Sequence, residues 1–458
     1  MYRTVTVILA CLGMVGALAI DTYLPSMPAI GREFGVGPVA VQQTLSVFLF
    51  TFAFMMLFYG TLSDSFGRRR VILGALALYT IGSIGAALAP SFGVLLACRA
   101  LQGLSAGAGS VIGQAIVQDR LKGAEAQKMM SNIMMVFGLA PAIAPVLGGW
   151  IVIFFGWRAI FLALCLFTVA LGWVCWQHLP ETVPKERRQP FNPRFLAGSY
   201  SAIFGSFLFH MKAGITALNF AGLFLYITAS PVMLPQQLHL GPSGFAWLFV
   251  PTVSGIFLGS MAANRMAGKK SFAKQIWIGF GFMLSAVAFN VGYHLFLPPA
   301  LPWTVLPMFF FTFGSSIIAP GATLLALDLF PHIRGTVASC QSFVTTLMGA
   351  IVAGIIVPAL DYSVLAMALG QAAFAVASLG CWMVSRHYRR KQALAHELRA
   401  RTEALRINEM FMAVLSHDLR TPLQSIVAAA SVLKRQPSPD KTALMADRVL
   451  GASQRMGH

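Results

Sequence analysis

Residues 41–80 read VQQTLSVFLFTFAFMMLFYGTLSDSFGRRRVILGALALYT: an apolar run, a polar turn from Gly60 to Arg70, then a second apolar run. Each run approaches the ~20 residues that a helix needs to cross the hydrocarbon core of a bilayer, and the turn between them ends in three adjacent arginines. Outward from this pair the same alternation continues through most of the 458 residues. With 57% hydrophobic and 10% charged residues, the chain lacks the polar surface to clothe soluble domains. Apolar runs of this length also exclude a membrane β-barrel, whose strands are ~10 residues of alternating polarity.

The apolar runs fall near 4–24, 41–62, 71–89, 93–117, 129–154, 159–178, 204–233, 244–265, 275–297, 303–329, 335–359 and 363–384. The reading is an all-α fold, a twelve-helix transmembrane bundle. The first run imitates a secretory signal through Arg3 and Ala17-Leu18-Ala19, but Asp21 and two prolines follow where a polar mature start would be expected. Basic residues crowd alternate connections: Arg68, Arg69 and Arg70; Arg120, Lys122 and Lys128; Lys185, Arg187, Arg188 and Arg194; Arg265, Lys269, Lys270 and Lys274; then Arg334. The intervening connections hold little beyond Arg32 and Arg158. The positive-inside rule makes the basic loops and both termini cytoplasmic, as expected of a multi-pass inner-membrane protein. The longest connection, rich in proline, divides the bundle into six-helix halves, 1–180 and 204–385, joined by a cytoplasmic linker, 181–203.

A net charge of +18 suits nucleic acid, yet the cations sit in these connections and in the tail after Ser385 rather than on one aromatic-rich face, so no nucleic-acid partner is expected. Cys11, Cys98, Cys165, Cys175, Cys340 and Cys381 lie inside apolar runs without a CxxC pair or neighbouring histidines. They read as small core residues, with no metal site; a disulfide is the alternative.

Asp21 is the only acid well inside an apolar run, where a carboxylate is costly unless it faces a cavity, a partner or a proton. An apolar setting favours the protonated form of a carboxyl, which suits reversible proton binding. The bland alternative is a helix-end acid, since Pro25 and Pro28 follow. Arg99 is a second intramembrane charge and must find a carboxylate, carbonyls or water; Asp21 and the backbone of helix one are its candidate partners. At the polar turn, Gly60 and Gly67 permit close packing and reversal, while Asp64 can sit at a neighbouring helix N-terminus.

Gly60, Asp64, Gly67, Arg68 and Arg69 resemble the signature loop of the major facilitator superfamily, with Ser65 where that pattern usually has Arg. Residues 95–108, with Arg99, Gln102, Gly103 and Gly107, look like its helix-four motif, and GLAPAIAPVLGG at 138–149 resembles its helix-five antiporter motif through Pro145, Gly148 and Gly149. Ala144 stands where a glycine is usual. Asp21-Thr22-Tyr23-Leu24-Pro25, Gly156-Trp157-Arg158-Ala159-Ile160-Phe161, Ser230-Pro231 and Leu327-Asp328-Leu329-Phe330-Pro331 are similar to the bicyclomycin-resistance and chloramphenicol-efflux drug/proton antiporters. The resemblance implies two halves rocking about a midplane cavity, with Asp21 and Arg99 in proton coupling. It further implies that Asp64 latches near Gly335 at the start of span eleven, that the helix-five motif serves the close approach of helices five and eight, and that the glycines and prolines of spans five and eleven serve helix sliding.

After Ser385 the composition becomes RHYRRKQALAHELRARTEALRINE. Leu394, Leu398, Leu405, Met412 and Leu415 keep heptad steps, interrupted by Arg401 and Asn408, as in a parallel coiled coil over 386–409; a solvated single helix is the alternative. A second helix is expected from Asp440, after a Pro437-Ser438-Pro439 break, giving a partial helical hairpin over 410–458. Residues 411–423, FMAVLSHDLRTPL, resemble the phosphoacceptor box of a histidine-kinase dimerisation domain. His417 would be the nucleophile, Asp418 its proton acceptor, Pro422 a helix bend, and Asp418 with Thr421 would match phosphatase positions. No nucleotide-binding segment is read in the chain, so phosphate is expected to arrive from a separate kinase.

The expected function is proton-driven efflux of small hydrophobic or cationic compounds, a secondary transporter and not an enzyme, powered by the proton gradient without a cofactor. Its partners would be a small-molecule substrate and the lipid bilayer. The other class considered is a phosphorelay sensor whose transporter-like part reports ligand occupancy to His417, with a homodimer formed through the tail and a response regulator downstream. Import of a nutrient is a third reading.

Overall fold

The computed structural model describes residues 2–120, 143–183, 188, 193–266, 269–330, 333–360, 363–435 and 439–456, and no strand occurs among them. Residues 129–142 of span five, Lys122, Lys128, Lys185, Arg187 and Pro331 lie outside the described residues. Eleven described helices are long and apolar enough to cross a membrane, and a shorter apolar helix, Ile143–Phe155, occupies the end of span five. Helices dominate because lipid offers no partner for a backbone N–H or C=O, so each span must satisfy its own.

The elements of the first half are α1 (Tyr2–Asp21), α2 (Met27–Phe34), α3 (Pro38–Phe66), α4 (Arg68–Ala87), α5 (Phe92–Ala106), α6 (Ala108–Arg120), α7 (Ile143–Phe155) and α8 (Arg158–His178). Two of the expected spans are therefore broken. Span one leaves the helix after Asp21 through a short 3-10 turn, Leu24–Ser26, and span four breaks at Gly107. After α9 (Pro193–Phe204) come α10 (Phe207–Gln237), α11 (Ala246–Met266), α12 (Phe272–Phe296), α13 (Leu306–Leu327), α14 (Arg334–Ile351), α15 (Val357–Ala359), α16 (Val364–Arg435) and α17 (Pro439–Met456). A π-turn, Val352–Ile356, interrupts span eleven between α14 and α15. Hydroxyls cap where the chain enters the bundle: Ser91 accepts from the Val94 N–H, Ser206 from Phe209 and Ser271 from Lys274.

The first compact unit is residues 1–385 and the second 386–458. In the first unit, glycine lets helices touch backbone to backbone. A Cβ on Gly103 of α5 would collide with the Phe48 carbonyl of α3, and one on Gly255 or Gly259 of α11 would collide with the Phe309 or Phe313 carbonyl of α13. The halves meet chiefly where α3 lies against α14. At one end of that seam Gln42 Nε2 donates to the Thr228 carbonyl (3.2 Å) and Gln43 Nε2 to the Gly354 carbonyl (3.0 Å). At the other end the Tyr200 hydroxyl of α9 donates to the Leu57 carbonyl of α3 (2.5 Å). Burial pushes the Tyr200 phenol up to about 12, so it remains a donor through physiological pH.

Candidate functional site

Asp21 is the last residue of α1 and is 5% exposed. Among the described residues its carboxyl has no hydrogen bond or ion pair. The break that follows explains what Arg99 does. The Tyr23 N–H bonds to the Ile20 carbonyl, which leaves the Ala19 carbonyl without its helical donor. Fully buried Arg99 supplies one: its Nη1 donates to Ala19 O (3.3 Å) and to Gln102 Oε1 (2.9 Å), and Gln102 Nε2 donates to Ser83 Oγ (2.8 Å). The guanidinium lies 4.5 Å from the Tyr23 ring centroid and 4.4 Å from that of Phe48, which offsets part of its lost hydration. Its Nε and Nη2 have no partner among the described residues. The expected Asp21–Arg99 pair is thus not formed. Arg99 ties α5 to the frayed end of α1 through backbone, the other role open to it, at a carbonyl two residues before Asp21, and keeps two donors idle.

At the opposite end of α3, Gly67 reverses the chain at φ 98, a conformation that favours glycine. A Cβ there would also lie 2.5 Å from Glu181 Oε2. The turn holds buried Arg68 among three acids. Arg68 Nη2 pairs with Asp64 (2.6 Å), Nε with Asp119 Oδ2 (3.2 Å), and its backbone N–H donates to Glu181 Oε1 (2.9 Å). Nη1 donates to Ser63 Oγ, and Asp119 also accepts from Thr182 Oγ1 (2.8 Å). Arg69 donates to the Trp176 carbonyl. Asp64 therefore meets Arg68 of its own half; no contact of its carboxylate with Gly335 is among the described ones. No neighbour lies within 4 Å of a Cβ built on Gly60, so the packing role expected there belongs to Gly67.

The helix-packing residues divide in the same way. Gly103 makes the close α3–α5 approach, and Gly107, at the break of span four, faces Phe52 and Met56. Pro145, Gly148 and Gly149 are buried. Gly148, expected to bring helices five and eight together, instead lies against the Thr22 backbone, directly after Asp21. Four charges escaped the sequence reading. Glu33 pairs with Arg158 and accepts from Trp157 Nε1 (2.6 Å), while Arg158 Nη2 reaches the Ala89 carbonyl (3.2 Å), clamping three connections at the α2 end. Asp119 and Glu181 complete the Arg68 cluster, and their being acids in basic connections was the available signal. Lys212 is a third buried intramembrane charge, 2% exposed, whose Nζ donates to the Leu325 carbonyl (2.5 Å). It stands within two turns of the Ser206 cap, where the sequence does not distinguish a buried cation from one at a helix end.

In the second half, apart from Lys212, the polar network that joins the helices is made of neutral groups. Asn290 Nδ2 of α12 donates to the Tyr226 hydroxyl (2.7 Å) and to Gln371 Oε1 (3.2 Å), and Gln371 Nε2 reaches the Gly222 carbonyl (3.3 Å). These residues of α10, α12 and α16 are fully buried.

In the second unit the His417 side chain is 82% exposed on α16, with Nδ1 3.5 Å from Asp418 Oδ1. The Thr421 hydroxyl faces the His417 carbonyl at 3.5 Å, and Pro422 lies inside the helix. The imidazole is accessible for attack on a phosphoryl donor.

Spans, signature turn and buried charges together define a secondary transporter. Residues 9–354 match the Major Facilitator Superfamily, and the chain belongs to it. Residues 407–458 match the His Kinase A (phospho-acceptor) domain, so the chain ends in that domain. A bicyclomycin resistance protein homolog of Haemophilus influenzae is 30% identical over 359 residues, covering 76% of this chain and 87% of its own. Multidrug resistance protein D of Escherichia coli K12 is 29% identical, covering 72% and 82%, and a chloramphenicol resistance protein of Pseudomonas aeruginosa is 26% identical, covering 71% and 77%. The fold is that of a D-xylose–proton symporter (TM-score 0.61, 14% identity, 83% and 97% covered) and of the human organic anion transporter TETRAN (TM-score 0.59, 20%, 84% and 98%). The chain is a multi-pass inner-membrane transporter akin to drug-resistance proteins.

Proposed function

We propose that this chain exports small hydrophobic or cationic compounds from the cytoplasm in exchange for protons that bind Asp21. The observation that carries the reading is a buried carboxyl with no partner among the described residues, at the same end of α1 that a guanidinium with two idle donors holds through the Ala19 carbonyl. A proton neutralises that carboxyl; a departing proton leaves a charge that a cationic substrate or Arg99 can meet. The Arg68 cluster then biases the two orientations of the halves, and the basic loops face the cytoplasm. The names of the relatives support drugs as the cargo.

Asp21→Asn keeps the volume and removes the titration. In proteoliposomes with a pH gradient, it is expected to abolish uphill transport and substrate-induced proton release while leaving the protein inserted. Normal proton release from the variant would remove Asp21 from the mechanism.

The match over 407–458 favours a second reading for the tail, a phosphorelay element dimerised through exposed Leu394, Leu398 and Leu405. His417 would then take phosphate from a separate kinase and pass it to a response regulator. Acid-labile label on the wild type but not on His417→Gln, after incubation with ATP and a kinase catalytic domain, is the supporting result.

A further inference from the structure

At the end of α3 opposite Asp64 lies a cavity of about 330 Å³ whose walls come from both halves. That volume is at the small end of the range for small-molecule sites, about 300–1,000 Å³. The first half contributes Pro28, Arg32, Pro38 and Gln42, and α10 contributes Pro231 and Pro235. Four prolines give flat, rigid walls that offer no N–H donor and have no side-chain freedom to lose when a ligand settles against them. Such walls suit a planar ring better than a polar or branched body.

The charge in this cavity is uncompensated. Arg32 lies at the lining and is exposed, and no acid pairs with it among the described residues. Its neighbour Glu33 would be the obvious counter-ion, but that carboxylate is held by Trp157 Nε1 (2.6 Å) and by Arg158. The amide of Gln42 is turned to the Thr228 carbonyl (3.2 Å), across the seam between the halves, so it closes the floor and adds no charge. A guanidinium at the mouth of an apolar, proline-walled cavity recognises an anion attached to an apolar body.

We infer that this cavity is a binding site for a small aromatic monoanion, its ring between the prolines of the two halves and its anionic group on Arg32. It is separate from Asp21 and Arg99 and takes the opposite charge class from the cations proposed as cargo. Because one wall belongs to each half, an occupant binds only while this end of the seam is shut.

The test is binding to the full chain in phosphatidylcholine nanodiscs, with empty nanodiscs subtracted, and needs no transport. The probes are 8-anilinonaphthalene-1-sulfonate and its neutral counterpart N-phenyl-1-naphthylamine, read by fluorescence. Wild type is expected to bind the sulfonate saturably. Arg32→Gln, at an exposed position that folding does not need, should weaken the sulfonate about tenfold or more, as expected for loss of a charge-assisted contact, and leave the neutral probe unchanged. Val232→Phe, which narrows the cavity from α10, should weaken both probes; circular dichroism and elution volume matching wild type show that the variant is folded. A sulfonate signal no greater than that of empty nanodiscs, or equal sulfonate affinity in wild type and Arg32→Gln, overturns the proposal.

Discussion

The two halves of the bundle stabilise their interiors with different chemistry. In the first half a guanidinium joins α5 to α1, with Gln102 and Ser83 extending the chain of donors to α4. In the second, amides and a phenol join α12 to α10 and α16. Both solve the same problem, since polar atoms in a membrane interior need partners. They differ in what remains among the described residues: the first half keeps an unpaired acid and idle charged donors, the second keeps orphaned uncharged atoms that include the amide oxygens of Asn219, Asn290 and Gln341. Proton chemistry at a buried acid can therefore reside in the first half, whereas the buried cation of the second, Lys212, is held by the Leu325 carbonyl.

The sharpest way to break this contrast is at Arg99. Arg99→Ala is expected to abolish coupled transport, because it removes the buried charge that holds the end of α1 and strands the Ala19 carbonyl. Arg99→Lys should retain part of it, since a positive charge is kept but the planar guanidinium between Tyr23 and Phe48 is lost. Equal activity of Ala and Lys variants in a pH-gradient assay would show that charge plays no part.

A smaller, kinetic effect is expected at the turn. Asp64→Ala removes one of three acids around Arg68 and should shift the balance of the two orientations by about 5- to 150-fold, slowing turnover more than it weakens substrate binding. Labelling rates of a cysteine introduced at the mouth beside Asp64 check this; identical rates with and without Asp64 would leave only a topological role.

In the second half, Asn290→Ala should cost about 1–3 kcal/mol of stability by leaving Tyr226 and Gln371 short of a partner. The ratio of protons to substrate should nevertheless stay as in wild type. A changed ratio would place coupling chemistry in the second half as well. The smallest effect belongs to the tail: removal of the chain after 390 should leave transport rates unchanged, because Asp21, Arg99, Arg68 and the close-packed glycines all precede it. A lost pH-gradient response in that variant would join the phospho-acceptor domain to the transport cycle.

Much of this was legible in order along the chain. The spans, the turn at Gly67, the buried acid and the box around His417 are local features, set by composition, spacing and residue type. In lipid a helix must satisfy its own backbone, so an apolar run of sufficient length already dictates its secondary structure. The breaks after Asp21 and at Gly107 were less visible, because each leaves the hydrophobic run intact.

Only the tertiary structure decided which polar groups meet. Asp64 and Arg68 are four residues apart, but Asp119 and Glu181 reach the same guanidinium and its backbone from 51 and 113 residues away. Arg99 could have met Asp21, and it meets Ala19 because the Tyr23 N–H bonds to Ile20. Glu33 could have neutralised Arg32, and it faces Trp157 and Arg158. A helix is fixed by its own residues, whereas the partner of a side chain depends on the rotation and depth of several helices packed together. The sequence by itself therefore determined the spans and the charges they carry, and the packing of those spans determined which charges are paired and which stay free for chemistry.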